Sequence, residues 1–137
     1  MSISSTQFHQ TGAPILKDLG KYLADNGADP ERIRVALHED SFASPSQEEL
    51  NTTTDARMLF LKKLSVYLQQ TASSSDKLAA MEPDQIRALL LVEGCACEYS
   101  EAAEICGCQV GTIKSRIYRG RKKAGIADRK GGARKAQ

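Results

Sequence analysis

PDQIRALLLVEGCACEYSEAAEICGCQVGTIKSRIYRGRKKA, from Pro83 to Ala124, is the stretch that decides the fold. It reads as three helices, the last of them cationic. Tyr99 to Cys106 carries Ala102, Ala103 and Ile105 on a short amphipathic segment, and Gly107-Cys108-Gln109 breaks it. A small glycine-bearing turn between two helices is the signature of a helix-turn-helix. The third helix starts near Val110 and places Val110, Ile113 and Ile117 at i, i+3 and i+7, one apolar stripe. Thr112, Ser115, Arg116 and Arg119 face away from that stripe, with Lys114, Arg121, Lys122 and Lys123 beside them. One face is suited to a core and the other to a polyanion.

Charge supports that division. The chain of 137 residues has a formal net charge of only +2. Residues 1–55 nevertheless hold four basic and nine acidic residues, a net −5, whereas 110–137 hold ten basic and one acidic, a net +9. Such asymmetry points to a nucleic-acid-facing end on an acidic body. Arg129 to Gln137 reads as a solvated basic tail, because no apolar stripe accompanies its charges. Lys114 to Lys123 differs, since its charges share a helix with a seating stripe.

The segment EAAEICGCQVGTIKSRIYRGRKK, preceded by Glu82-Pro83-Asp84-Gln85, resembles region 4 of bacterial extracytoplasmic-function sigma factors. VGTIKSRIYRGRKK is similar to that family's recognition helix, and the resemblance covers roughly the C-terminal two-fifths of the chain. It implies binding to double-stranded promoter DNA at the upstream (minus-35) element and docking on the flap of RNA polymerase. The residues before Pro83 show no recognisable region 2, the part of a sigma factor that opens the promoter.

In a helix-turn-helix the second helix lies in the major groove with its N-terminal half toward base edges. Gln109, Thr112, Ser115, Arg116 and Arg119 are therefore the base-reading candidates. Lys114, Arg121, Lys122 and Lys123 are placed for phosphates, which set register without reading sequence. Tyr99 could reach the backbone as well. Four to six phosphate contacts at ~0.9 each in the log–log salt slope give a steep but weak interaction. Such a module needs a partner, either polymerase or a second copy of itself. Region-4-like surfaces also bind anti-sigma factors, so the alternative is a sigma mimic that binds an anti-sigma-like protein or a polymerase subunit without reading DNA.

The rest of the chain reads as helices and polar breaks. Met1 to Ala13 is polar and is expected to fray. Helices are expected from Pro14 to Asp25, ending at Asn26-Gly27, and from Asp29-Pro30-Glu31 to near Glu39. A short helix starts at Ser44-Pro45-Ser46 and ends near Leu50; Thr54 is placed to cap a long one from Asp55 to about Gln70. Ala72 to Asp76 is a break, and Lys77 to Met81 a helical turn. ILKDLGKYL (15–23) resembles FLKKLSVYL (60–68), which leaves an internal duplication open, although amphipathic helices reach such a likeness more readily by convergence. Period-two alternation is absent. The expected fold is all-α: an acidic helical N-terminal region over residues 1–72, a helix-turn-helix domain over 73–126 and a basic flexible tail over 127–137.

Four cysteines form two C-x-C pairs, Cys95/Cys97 and Cys106/Cys108, on either side of the helix from Tyr99 to Cys106. Eight residues at a rise of ~1.5 Å set the pairs on the order of 12 Å apart. Thiolates on one zinc ion lie within roughly 4 Å of each other, and a disulfide requires Cα atoms within about 7 Å. Metal and inter-pair disulfides are therefore not expected. Cys97 and Cys106 read as small buried hydrophobes, with Cys95 and Cys108 left toward solvent. His9 and His38 stand alone, and no phosphate loop, dinucleotide fingerprint or nucleophile elbow occurs. Neither an enzyme nor a cofactor is expected. No apolar run spans a bilayer and no secretory signal is visible, so the expected location is the cytoplasm.

Overall fold

The computed structural model describes residues 3–38 and 44–126. The expected end of the second helix at Glu39, and the basic tail from 127, lie outside the described residues. Among the described residues nine α-helices follow in order: α1 (Ser5–Asp25), α2 (Pro30–Ala36), α3 (Gln47–Thr52), α4 (Ala56–Ser65), α5 (Leu68–Ala72), α6 (Asp76–Ala79), α7 (Pro83–Leu89), α8 (Tyr99–Cys106) and α9 (Val110–Ala124). A π turn, Leu90–Gly94, lies between α7 and α8. Among the described residues there is no strand, and no helix is long and apolar enough to cross a membrane.

The all-α reading is correct, and several boundaries moved for physical reasons. α1 begins at Ser5, nine residues before the expected start, with Pro14 inside it. Its N-terminus is closed by a capping box: Ser4 Oγ accepts from Gln7 N at 3.0 Å, and Gln7 Oε1 accepts from Ser4 N at 2.7 Å. Phe8, 1% exposed, then packs its ring 5.2 Å from that of Phe60. That burial offsets the backbone hydrogen bond Pro14 removes, and Pro14 sits on the exposed side. α1 passes so close to α4 that a Cβ on Gly12 would stand 1.9 Å from the Phe60 ring.

The long helix expected from Asp55 to Gln70 is two helices, and Asp55, not Thr54, caps the first. Asp55 Oδ1 accepts from Met58 N at 3.0 Å. The break at Val66-Tyr67 follows from local competition. Ser65 Oγ donates to Lys62 O at 2.8 Å, and Tyr67 N tightens onto Leu64 O at 2.8 Å. Val66 is left 69% exposed, while Leu64 and Leu68 both stay buried.

One buried cluster runs through the whole described chain, from Phe8 and Leu19 through Phe60 and Leu64 to Leu89, Leu91, Ile113 and Ile117. α1 packs on α4 and on the π turn, α5 packs on α7, and α9 packs on α7, α8 and α6. The N-terminal helices and the helix-turn-helix therefore share a core, and α9 lies at its surface with one side seated.

Candidate nucleic-acid interface

The turn between α8 and α9 forms as its residues dictate. Gly107 takes the left-handed conformation, φ +68°, a region that costs an L-residue with a Cβ but not glycine. Cys108 N donates to Ala103 O at 3.0 Å, which closes α8. α9 ends in the same way at Gly125, with Ile126 N donating to Arg121 O at 2.8 Å. Ile113 is fully buried and Ile117 is 5% exposed, so the stripe read from the sequence is the seating face.

The solvent side of α9 carries Gln109, Lys114, Tyr118, Arg119, Lys122 and Lys123, with Thr112, Ser115 and Arg116 half-buried along its margin. Two lysines lie over aromatic faces. Lys114 Nζ is 5.2 Å from the Tyr99 ring centroid, and Lys122 Nζ is 5.0 Å from that of Tyr118. Tyr99, expected to reach a backbone, lies beneath one of these cations.

Carboxylates of α7 and the π turn reach the other cations. Arg116 lies between Asp84 Oδ2, 3.7 Å away, and Cys108 Sγ, to which its NH1 donates at 3.7 Å. Lys123 Nζ donates to Glu82 Oε2 at 2.6 Å, and this lysine holds the Glu82 carboxyl below the usual glutamate range. Arg121 corrects the sequence expectation. It is 6% exposed and pairs with Glu93, NH2 to Oε2 at 2.5 Å, so it is directed inward and not toward phosphates. The signal was present, since position 121 continues the i+4 spacing of Ile113 and Ile117. Extending the stripe one turn finds it. Glu82, Asp84 and Glu93, acidic residues that precede α9 in the chain, are in these cases its partners.

The thiols divide differently from the expectation. Cys95 is 1% exposed, not toward solvent, and burial pushes its thiol well above the ordinary range. Cys97 is equally buried, whereas Cys106 and Cys108 are half-buried. Burial also raises Cys106. Among the described residues no group of three or more His, Cys, Asp or Glu side chains could hold a metal ion.

A buried aliphatic stripe, a left-handed glycine turn and an outward cationic face define a helix-turn-helix domain. Residues 75–123 match the family model described as Sigma-70, region 4, which supports the resemblance carried by the same stretch of sequence. The chain is 39% identical over 90 residues to the ECF RNA polymerase sigma factor EcfG of Rhodopseudomonas palustris, an alignment covering 60% of this chain and 48% of that protein. It is 48% identical over 44 residues to the ECF RNA polymerase sigma factor SigC of Mycobacterium tuberculosis, covering 32% of this chain and 24% of that one. These matches thus span about half or less of the relatives' own length. The fold is shared with a chain of the co-crystal structure of the sigma factor RpoE with the anti-sigma factor NepR from Bartonella quintana. That match has a TM-score of 0.52 at 19% identity and covers 86% of this chain and 94% of that one. At that identity the likeness is one of fold, and it takes in the N-terminal half, where the sequence shows no recognisable region 2.

Proposed function

We propose that the chain is a sigma-factor-like, DNA-binding transcription regulator of the cytoplasm, which places α9 in the major groove of promoter DNA and acts with RNA polymerase. One observation carries this reading: α9 is seated by Ile113 and Ile117 while Arg119, Lys114 and Lys122 are presented outward. Arg119, Arg116, Ser115, Thr112 and Gln109 read base edges, and Lys114, Lys122 and Lys123 hold phosphates. Residues 73–126 are the duplex-facing unit, and the acidic helices of 1–72 dock polymerase or a second copy of the chain. The names of the relatives, all RNA polymerase sigma factors, support the reading.

The deciding experiment is binding of a labelled promoter duplex over a range of salt. Expected is affinity that falls steeply with salt, by ~0.9 log units per log unit of salt for each neutralised phosphate. Arg119→Ala should weaken binding, and so should Arg116→Ala. Wild-type affinity in both variants would sink the proposal.

A second reading is favoured by a specific observation. Arg116, Arg121 and Lys123 each lie against a carboxylate of this chain, which thins the cationic face. A sigma mimic that binds an anti-sigma-like protein or a polymerase subunit needs no such face. The shared fold with a chain from a sigma–anti-sigma complex supports it. Capture of such a partner by a protein that shifts no promoter duplex would select this reading.

A further inference from the structure

The Glu93–Arg121 pair is the least exposed charged contact against α9: 3% of the Glu93 side chain and 7% of that of Arg121 are accessible. Its position follows from the π turn. Cys95 N donates to Leu90 O at 2.8 Å, a five-residue step that inserts an extra residue into the winding. That step leaves Leu90, Leu91 and Val92 fully buried and turns Glu93 onto the seated side of α9. The other side of the turn meets α1, where a Cβ on Gly94 would stand 2.8 Å from Leu19 Cδ1. The π turn thus packs on the first helix and reaches the last through the Glu93–Arg121 pair.

A buried ion pair is a poor source of stability. Removing two charges from water offsets most of their attraction, and well-packed apolar replacements are often neutral. What such a pair does supply is direction: Arg121 finds its acceptor at one rotation of α9 and not at neighbouring ones. We propose that Glu93 is a positioning residue for the duplex-facing helix. Through Arg121 it sets the rotation at which Arg116, Arg119 and Lys114 are presented. This inference rests on the reading of α9 given above, and it makes Arg121 a fixing point and not a phosphate contact.

The test compares full-length wild type, Glu93→Gln, Arg121→Gln and the double variant Glu93→Met/Arg121→Met. The first readout is the amide NMR spectrum of residues 110–124. The second is selection from a pool of duplexes with a randomised central stretch, followed by salt titration of the selected duplexes. Positioning predicts altered α9 amides in Glu93→Gln, about a tenfold loss in the preference for selected over random duplex, and a wild-type salt slope. The Met/Met variant is expected to fold even where the single variants do not, and to show the same loss of preference. Unchanged α9 amides in Glu93→Gln overturn the proposal, and so does wild-type selectivity in the Met/Met variant. A salt slope reduced by about one in Arg121→Gln, with selectivity kept, makes Arg121 a phosphate contact and also overturns it. Failure of the wild type to enrich any duplex would remove the DNA reading instead, and the NMR comparison would still decide whether Glu93 sets the helix.

Discussion

Arg57 of α4 donates from Nε to Glu101 Oε2 of α8 at 2.9 Å, and from NH2 to Glu101 Oε1 at 3.3 Å, across 44 residues of sequence. Glu101 Oε1 also accepts from Glu98 N at 3.1 Å, which closes the first turn of α8. One carboxylate thus ties the N-terminal helices to the helix-turn-helix and caps the helix it stands on.

The Glu101 carboxyl is held below its ordinary value of 4.5, first by the Arg57 hydrogen bond and then by the Glu98 amide, against the opposing effect of partial burial. Because the folded pKa is the lower one, the contribution is fully present above the unfolded value and is lost as pH falls through the folded value. Acid unfolding followed by circular dichroism should show Glu101→Gln losing less stability than wild type below about pH 4.5. The difference should stay near or under ~1 kcal/mol, because the pair is partly exposed and solvent screens it. Parallel acid limbs would show that the contact carries no linkage.

The approach of α1 to α4 at Gly12 leaves no room for a methyl group beside Phe60. Gly12→Ala should destabilise the protein by about 1–3 kcal/mol through overpacking, despite alanine's better helix propensity of about 1 kcal/mol. In a Phe60→Leu background the same substitution should cost less, because the clashing ring is gone. Thermal melts of the four proteins test this, and simple additivity would contradict the proposed contact.

The cysteines should differ in reactivity. With an alkylating reagent at neutral pH, Cys106 and Cys108 should be modified in the native protein, and Cys95 and Cys97 only after unfolding. Burial keeps the Cys95 thiol protonated, so its native rate should rise little between neutral and mildly alkaline pH. Peptide mass mapping against time reads all four sites, and labelling of Cys95 as fast as Cys108 would contradict the burial seen here.

The cations of α9 should also separate by kind. Lys114→Ala and Lys122→Ala are expected to weaken binding uniformly across duplex sequences and to lower the salt slope by about one each. Arg119→Ala should instead relax preference at one base position, by roughly 1–3 kcal/mol. Fluorescence anisotropy on matched and scrambled duplexes distinguishes the two patterns.

Much of this was readable from residue order. The three C-terminal helices announce themselves through Pro83, the break at Gly107 and the 110-113-117 spacing. The caps at Asp29 and Ser46 mark two N-terminal starts. The early start of α1 was not readable that way, because Pro14 is also a good first helical residue and the opposing weight came from Phe8 meeting Phe60, 52 positions on. The break after Ser65 was missed because the apolar spacing runs on through it.

Residue order by itself determined the all-helical fold, the helix-turn-helix and the outward-facing cationic helix, since periodicity, capping and turn chemistry act over a few residues. Only the tertiary structure decided which cations remain available. Arg121 is turned inward by a carboxylate on a π turn, and Arg116 and Lys123 lie against α7 and its cap. Those pairings depend on how α7 and α9 cross, and long-range packing sets that crossing.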